Sequence, residues 1–310
     1  MQNISKSIHI WILLVLLGVS SVWAQTAPTV QWERIFDRDS QFGTSAFINV
    51  PTSDEGALVA IFGNNIKNIS PTTSNGDAIV KLNARNEVIW AKMTNDLMGI
   101  PVGPNSEFLP AYRISSMIAS ATGGYFVAGY MTSSGSGENF IMKISDNSTP
   151  EWIQKFPFSR EGQDSIKTIT ATKDGGLIVG RDYSERLFDG VYLRRYNTQG
   201  TVLSTATLSF QIGNLLFAKI EKVRTDGDDL LAIGSYNETP TKRRGFVAKL
   251  RADLTTIWLK RDTEEFVDVI RDPKSDRYLA LKAGGFTSGS LNNPISAFSL
   301  DGQPINILYQ

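Results

Sequence analysis

Four short stretches, "VQWERI", "NEVIWAKM", "PEWIQKF" and "TIWLKR", place Trp32, Trp90, Trp152 and Trp258 in one local setting, an apolar run with a basic residue close behind. Their spacings are 58, 62 and 106 residues, and the last is twice 53. A recurring interval of this size marks a repeated structural unit whose copies bury their apolar faces against one another.

The segments between the tryptophans repeat in step. "SDEGALVAIFG" (53–63), "ATGGYFVAG" (121–129), "TKDGGLIVG" (172–180), "TDGDDLLAIG" (225–234) and "KSDRYLALKAG" (274–284) each run from a polar turn through an apolar strand to a closing glycine. Asp-Gly and Gly-Gly pairs reach the positive φ of a tight hairpin turn, so Gly175 and Gly176 read as turn residues. A phosphate-cradling loop would need a helix to follow, and "LIVG" is too short and too β-branched for one. Gly63, Gly129, Gly180, Gly234 and Gly284 are expected at strand ends, where they permit a bend or a close backbone approach.

A third element follows in "DAIVKLN" (77–83), "NFIMKIS" (139–145), "GVYLRRYN" (190–197), "GFVAKLR" (245–251) and "PISAFSL" (294–300). The Trp-type strand comes next, with its aromatic replaced in "GTVLSTA" (200–206) and "QPINILY" (303–309), which accounts for the doubled interval. The remaining element precedes each glycine turn: "SAFINV", "RISSMIASA", "SIKTITA", "FAKIEKV" and "FVDVI". In "SIKTITA" the alternation is broken, with Ile166 and Ile169 out of strict register. No stretch after residue 24 holds a helical period. The expectation is an all-β chain, a β-propeller of five blades, each of four antiparallel strands.

Residues 1–24, "MQNISKSIHIWILLVLLGVSSVWA", carry a lysine, a short apolar run and a small-residue end, the pattern of a cleaved secretory signal peptide. The apolar run falls short of the ~20 residues a membrane span needs. Residues 25–310 are then expected to be one propeller domain, secreted to the periplasm or cell surface, with no membrane span. The only histidine, His9, lies in the signal, and the chain has no cysteine. The mature protein therefore offers neither a Ser-His-Asp or Cys-His nucleophile nor a zinc site of imidazole and thiolate. Export without disulfides leaves stability to packing. Thirty basic residues against 31 acidic ones after Ala24 imply no strong field toward nucleic acid or anionic membrane. The cluster "TKRR" (241–244) reads as a solvated hairpin tip.

The pattern carried by "EWIQKF" with "TKDGGLIVG", and by "ATGGYFVAG" with "NFIMKIS" and "PEW", resembles the propeller repeats of secreted bacterial proteins related to the delta-type and SBBP-type families. The resemblance spans 29–310; "TDGDDLLAIG" and "SDRYLALKAG" depart from its clean Asp-Gly-Gly turn. It implies a propeller scaffold used for binding or assembly, with no catalytic motif attached. Both "TVQWERIF" (29–36) and "PINILYQ" (304–310) have the Trp-strand register, so the termini are expected to meet in one blade and close the ring; an open arc with a free edge is the alternative.

Two functions follow as expectations. The first is a non-catalytic module that binds a protein partner of the cell envelope, in an outer-membrane or cell-surface complex, through long loops at 64–76, 96–110, 132–138, 184–189, 236–243 and 284–293. The loop at 95–112 is the most distinctive, and Met98, Ile100, Phe108 and Leu109 are its candidate anchors; its other reading is a loop folded back over a blade edge. The second is a carbohydrate-binding protein or a glycoside hydrolase, which needs only two suitably spaced carboxylates. Candidates are Asp54, Asp164, Asp174, Asp226, Asp228, Asp229, Glu264, Glu265 and Asp268, and Glu265 or Asp268 would face the channel if their strand is innermost. "DGDD" and "SDNSTPE" offer oxygen ligands without the spacing of a calcium loop, so no metal and no cofactor is expected. Asn68, Asn147 and Asn237 match a glycan-acceptor pattern.

Overall fold

The computed structural model describes residues 45–62, 76–100, 111–132, 137–157, 165–185, 188–210, 218–239, 242–283 and 295–305. The signal segment, the Trp32 strand and the meeting of the termini lie outside these residues.

Among the described residues twenty strands form five separate four-stranded sheets, each a meander in chain order. Blade 1 is β1 (Ser45–Pro51), β2 (Ala57–Phe62), β3 (Ala78–Leu82) and β4 (Val88–Met93). Blade 2 is β5 (Ala111–Ala119), β6 (Tyr125–Thr132), β7 (Glu138–Ile144) and β8 (Pro150–Pro157). Blade 3 is β9 (Ile166–Ala171), β10 (Leu177–Glu185), β11 (Phe188–Tyr196) and β12 (Val202–Ser209). Blade 4 is β13 (Ala218–Asp226), β14 (Asp229–Thr239), β15 (Lys242–Leu250) and β16 (Thr256–Asp262). Blade 5 is β17 (Phe266–Asp272), β18 (Arg277–Lys282), β19 (Ile295–Ser299) and β20 (Pro304–Ile305). Five such sheets are the blades of a β-propeller, as the repeat predicts. One helical turn, α1 (Thr94–Leu97), is an addition; four residues are too few to show a helical period.

The broken alternation in "SIKTITA" has a structural cause. Each first strand slips register against its second strand, between Ala46 and Ile48, Ile114 and Ser116, Ile220 and Lys222, Phe266 and Asp268, and, in blade 3, opposite Gly180 and Arg181. A β-bulge inserts one residue and bends the strand, so strict two-residue periodicity fails there. The bulge also corrects the reading of the closing glycines. Gly129 and Gly234 lie inside β6 and β14 rather than at strand ends, facing the bulge. A Cβ on either would lie 1.9 Å from the carbonyl oxygen of Arg113 or Lys219.

Apolar clusters bridge successive blades. Leu58, Ala60 and Ile79 of blade 1 join Tyr112, Val127 and Phe140 of blade 2. Phe126 and Ile141 of blade 2 join Ile169 and Val179 of blade 3, and the pattern continues through blades 3 and 4 and blades 4 and 5. Alternation along each second strand supplies both faces, so one strand serves two junctions. Among the described residues no such cluster joins blade 5 to blade 1. There Val59, Ile61, Val80 and Leu82 form a buried cluster belonging to blade 1 alone, and Ile270 of blade 5 is 50% exposed.

Two hydrogen-bond motifs lock the junctions. At one end, the indole N–H of Trp90, Trp152 and Trp258 donates to the carbonyl of Asp146, Thr198 and Leu300, at 2.8, 2.8 and 3.1 Å. Each acceptor is the second residue of the turn between the third and fourth strands of the next blade. The indoles thus occupy one structural position, between blades, as half-buried clasps. The fourth turn residue is Gly200 under Trp152 and Gly302 under Trp258. A Cβ there would lie 2.8 and 2.7 Å from the indole, and both glycines have φ near +80°. At the other end, the buried carboxylate or amide of Asp77, Asn139 and Asp182 accepts the backbone N–H of Ile114, Ile166 and Ile220 on the next first strand, at 2.7, 3.1 and 2.9 Å.

Candidate functional site

The meander separates two kinds of connection onto two ends of each blade. First-to-second and third-to-fourth turns share one end and are short, as at 52–56, 83–87, 172–176 and 197–201. Second-to-third and fourth-to-first connections share the other end and include the long stretches 63–77, 94–110 and 283–294. The indole clasps sit at the tight-turn end of the junctions between blades 1 and 2, 2 and 3, and 4 and 5, and set those neighbouring blades in parallel orientation. The strand ends that lead into the long connections of neighbouring blades therefore lie on one face.

The 95–112 segment begins at that face. Thr94 Oγ1 donates to the carbonyls of Asp77 and Tyr112, at 2.9 and 2.8 Å, and so ties α1 across the first junction. Met98 is buried against Leu97 and Tyr112, and Ile100 is half-buried against the same cluster. These two side chains belong to the cover of the blade 1–blade 2 junction. Phe108 and Leu109, the other two candidate anchors, lie outside the described residues.

The candidate carboxylates are distributed by turn chemistry, and each described one has a cation. Asp54 pairs with Lys81 at 3.3 Å, Asp174 with Arg195 at 2.7 Å, Asp228 with Lys173 at 2.7 Å and Asp229 with Lys249 at 3.3 Å. Asp226 accepts from the Tyr278 hydroxyl at 2.6 Å and lies 3.4 Å from Lys249. Glu264 meets Lys282 at 3.3 Å and Glu265 meets Arg243 at 3.8 Å. Asp268 is on β17, the first strand of its blade, and holds Arg224 of the neighbouring first strand through two bonds of 2.8 and 2.6 Å. Asp164 lies outside the described residues.

Proton affinities follow these partners. Hydrogen bonds from Thr52 and Thr172 hold Asp54 and Asp174 below the usual carboxylate range, reinforced by Lys81 and Arg195. Burial pushes Asp268 up, but the bonds from Arg224 and the Val269 N–H bring it below its ordinary value. The carboxylates with raised values are elsewhere. Burial lifts Asp77 and Asp182 to about 6, against the bonds they accept and their neighbouring cations. Neither was a sequence candidate; a buried acid at the head of a third strand or within a second strand, reaching the first strand of the next blade, has no local signature, though Asp77 stands at the repeat step of Asn139. These two sit in different junctions, each engaged by a backbone N–H. Among the described residues no group of three acidic side chains is placed to hold a metal ion. The basic cluster is also engaged: Lys242 and Arg244 both pair with Glu238, at 3.0 and 2.9 Å, at the start of β15. Among the described residues no helix is long and apolar enough to cross a membrane.

No protein-family profile matches the sequence, and no curated protein matches it. Solved structures with a similar chain path include the extracellular domain of BT4673 from B. thetaiotaomicron, at 13% identity and TM-score 0.47, covering 85% of this chain and 29% of that one. A subtype N10 neuraminidase-like protein of A/little yellow-shouldered bat/Guatemala/060/2010 aligns at 10% identity and TM-score 0.41, over 64% of this chain and 58% of that one. The polysaccharide lyase Uly1 aligns at 15% and 0.43, over 78% and 55%. This chain thus spans from under a third to about three-fifths of those proteins. At these scores the propeller assignment rests on the five sheets themselves.

Proposed function

We propose that this chain is an exported, non-catalytic propeller that binds a protein partner of the cell envelope through the face carrying its long connections. The observation that carries the reading is the asymmetry of the two ends: tight turns and indole clasps build a rigid base, and the variable lengths of chain gather opposite it. Long loops on a rigid scaffold are where binding surfaces are made. The ion pairing of every described candidate carboxylate supports a structural rather than a catalytic role for those acids. Met98 is buried and Ile100 half-buried against the blade 1–blade 2 junction, so this reading looks for partner contact in the part of the loop after Ile100. The test is recovery of partners from the native envelope by the wild-type protein and by a variant with residues 101–109 replaced by a Gly-Ser linker, which spares α1 and Met98. The reading expects a specific partner to be lost with the linker while thermal stability is kept; equal recovery of every partner removes this loop from the site.

A further inference from the structure

Junctions 1–2 and 4–5 fill the space beside a third-strand lysine with a tyrosine from the following blade. Tyr125 stands opposite Ile144 and Tyr278 opposite Phe298, the same step of the second strand in their blades. Lys81 lies 5.9 Å from the ring of Tyr125, and Lys249 lies 5.6 Å from the ring of Tyr278. The Tyr278 hydroxyl accepts from Lys249 at 3.0 Å and donates to Asp226 at 2.6 Å. Each ring is thus a hydroxyl-bearing plug in a charged socket.

Junction 3–4 has the socket without the plug. Leu230, opposite Leu250, occupies the tyrosine step, and Arg195 occupies the lysine step. A cleft of about 230 Å³ opens there, lined by Lys173, Asp174 and Arg195 from blade 3 and by Asp228, Asp229 and Leu230 from blade 4. It is smaller than the ~300–1,000 Å³ of pockets for drug-sized ligands, so it suits one ring and not a chain. The Lys173–Asp228 pair, 2.7 Å apart and well exposed on both sides, reaches from one blade to the next at its rim.

We infer that this cleft binds a single pyranose ring. Two cations, Lys173 and Arg195, and two carboxylates, Asp174 and Asp228, ring a floor of Leu230 and Ala252, which matches several hydroxyls on an uncharged ring with a small apolar face; the Asp229 carboxylate turns to Lys249 on the other side of its blade. A phenol would bring one hydroxyl to those four charged groups. Side-chain carboxylates and guanidinium groups form the stronger class of hydrogen bond, and adjacent hydroxyls present the paired geometry they take. The site is on the tight-turn face and stands apart from the long-connection face proposed to hold the protein partner.

The test is a titration of the full mature chain, followed by NMR, with methyl α-glucopyranoside, methyl β-galactopyranoside and methyl α-mannopyranoside, and with p-cresol as the phenol. Leu230→Tyr copies the two sister junctions and should fold with an unchanged melting curve while closing the cleft. Asp174→Asn keeps the shape and removes a charged acceptor. The inference expects saturable binding of at least one glycoside, loss of that binding in L230Y, and a drop of about tenfold in D174N, the effect of one charge-assisted bond. No glycoside bound, equal binding by L230Y, or binding of p-cresol alone would each overturn it.

Discussion

Arg195 donates to the carbonyl of Ala252 at 2.9 Å, at the junction where the outer strand carries Ser204 in place of a tryptophan. Ala252 is the turn residue equivalent to Asp146, Thr198 and Leu300, the acceptors of the three indole clasps. The guanidinium thus makes the bond the missing indole would make, and its other arm reaches Asp174 at 2.7 Å. Leu254, 2% exposed, stands where Gly200 and Gly302 lie under their indoles. An apolar side chain at this turn goes with the small serine across the junction.

This exchange makes Arg195 unlike the lysines at the same step of blades 1, 2 and 4. Arg195→Lys loses the planar fork that spans both acceptors and should cost about 1–2 kcal/mol in chemical denaturation. Ser204→Trp alone should be poorly tolerated against Leu254. The double change Ser204→Trp with Leu254→Gly should be more stable than the sum of its two parts, a coupling a double-mutant cycle measures. Additivity within ~0.5 kcal/mol would contradict a shared site.

Gly200→Ala tests the clasp from the other side. The new Cβ would press on Trp152 at 2.8 Å in a residue at φ +79°, whereas Gly227→Ala, at φ +65°, meets nothing within 4 Å. Both carry the backbone cost of about 1 kcal/mol, and only the first adds steric overlap of about 1–3 kcal/mol. Equal losses in the two variants would mean that the indole does not rest on Gly200.

Asp77 and Asp182 give the protein an acid-side gain in stability. Their folded values near 6 lie above the ordinary 3.8, so the folded state holds these protons more tightly than the unfolded one. Stability from the pair therefore rises as pH falls from above 6 toward 4, by up to about 3 kcal/mol per group. Below that, Asp54, Asp174 and Asp268, with lowered values, lose their contribution as they protonate. Thermal melts at constant ionic strength should show a maximum between pH 4 and 6. Asp77→Asn, which copies Asn139 at the equivalent step, should flatten the rise. Asp77→Ala leaves the Ile114 N–H without its acceptor and should cost about 1–3 kcal/mol at every pH. A melting temperature that falls steadily from pH 7 to pH 5 would contradict this.

Much of the fold is legible in residues that recur. The indoles, the Asp-Gly and Gly-Gly turns and the lysine ahead of the third turn in blades 1, 2 and 4 mark units that cannot bury themselves, and the five sheets follow. What is not legible is whatever a single unit does differently. The bulges hide in first strands because an inserted residue mimics poor alternation. Arg195 was visible as "LRRYN" against "IVKLN", "IMKIS" and "VAKLR", but its bond to Ala252 depends on a turn 57 residues away. Met98 and Ile100 look like exposed anchors in a long loop, and only the path of Thr94–Leu97 turns them inward. The ion pairs of the candidate acids are likewise contacts between blades or across turns, which spacing along the chain does not report.

The division of labour between the two ends is tested most directly by photo-crosslinking in native envelope. A crosslinking side chain is placed singly at Asp96 or Thr263, exposed in fourth-to-first connections of the long-connection end, or at Asn147 or Gln199, in turns of the clasp end. The account predicts one shared protein adduct from Asp96 and Thr263 and none of it from Asn147 or Gln199. The same adduct from the turn positions, with none from the connections, would place the binding face on the opposite end and contradict it.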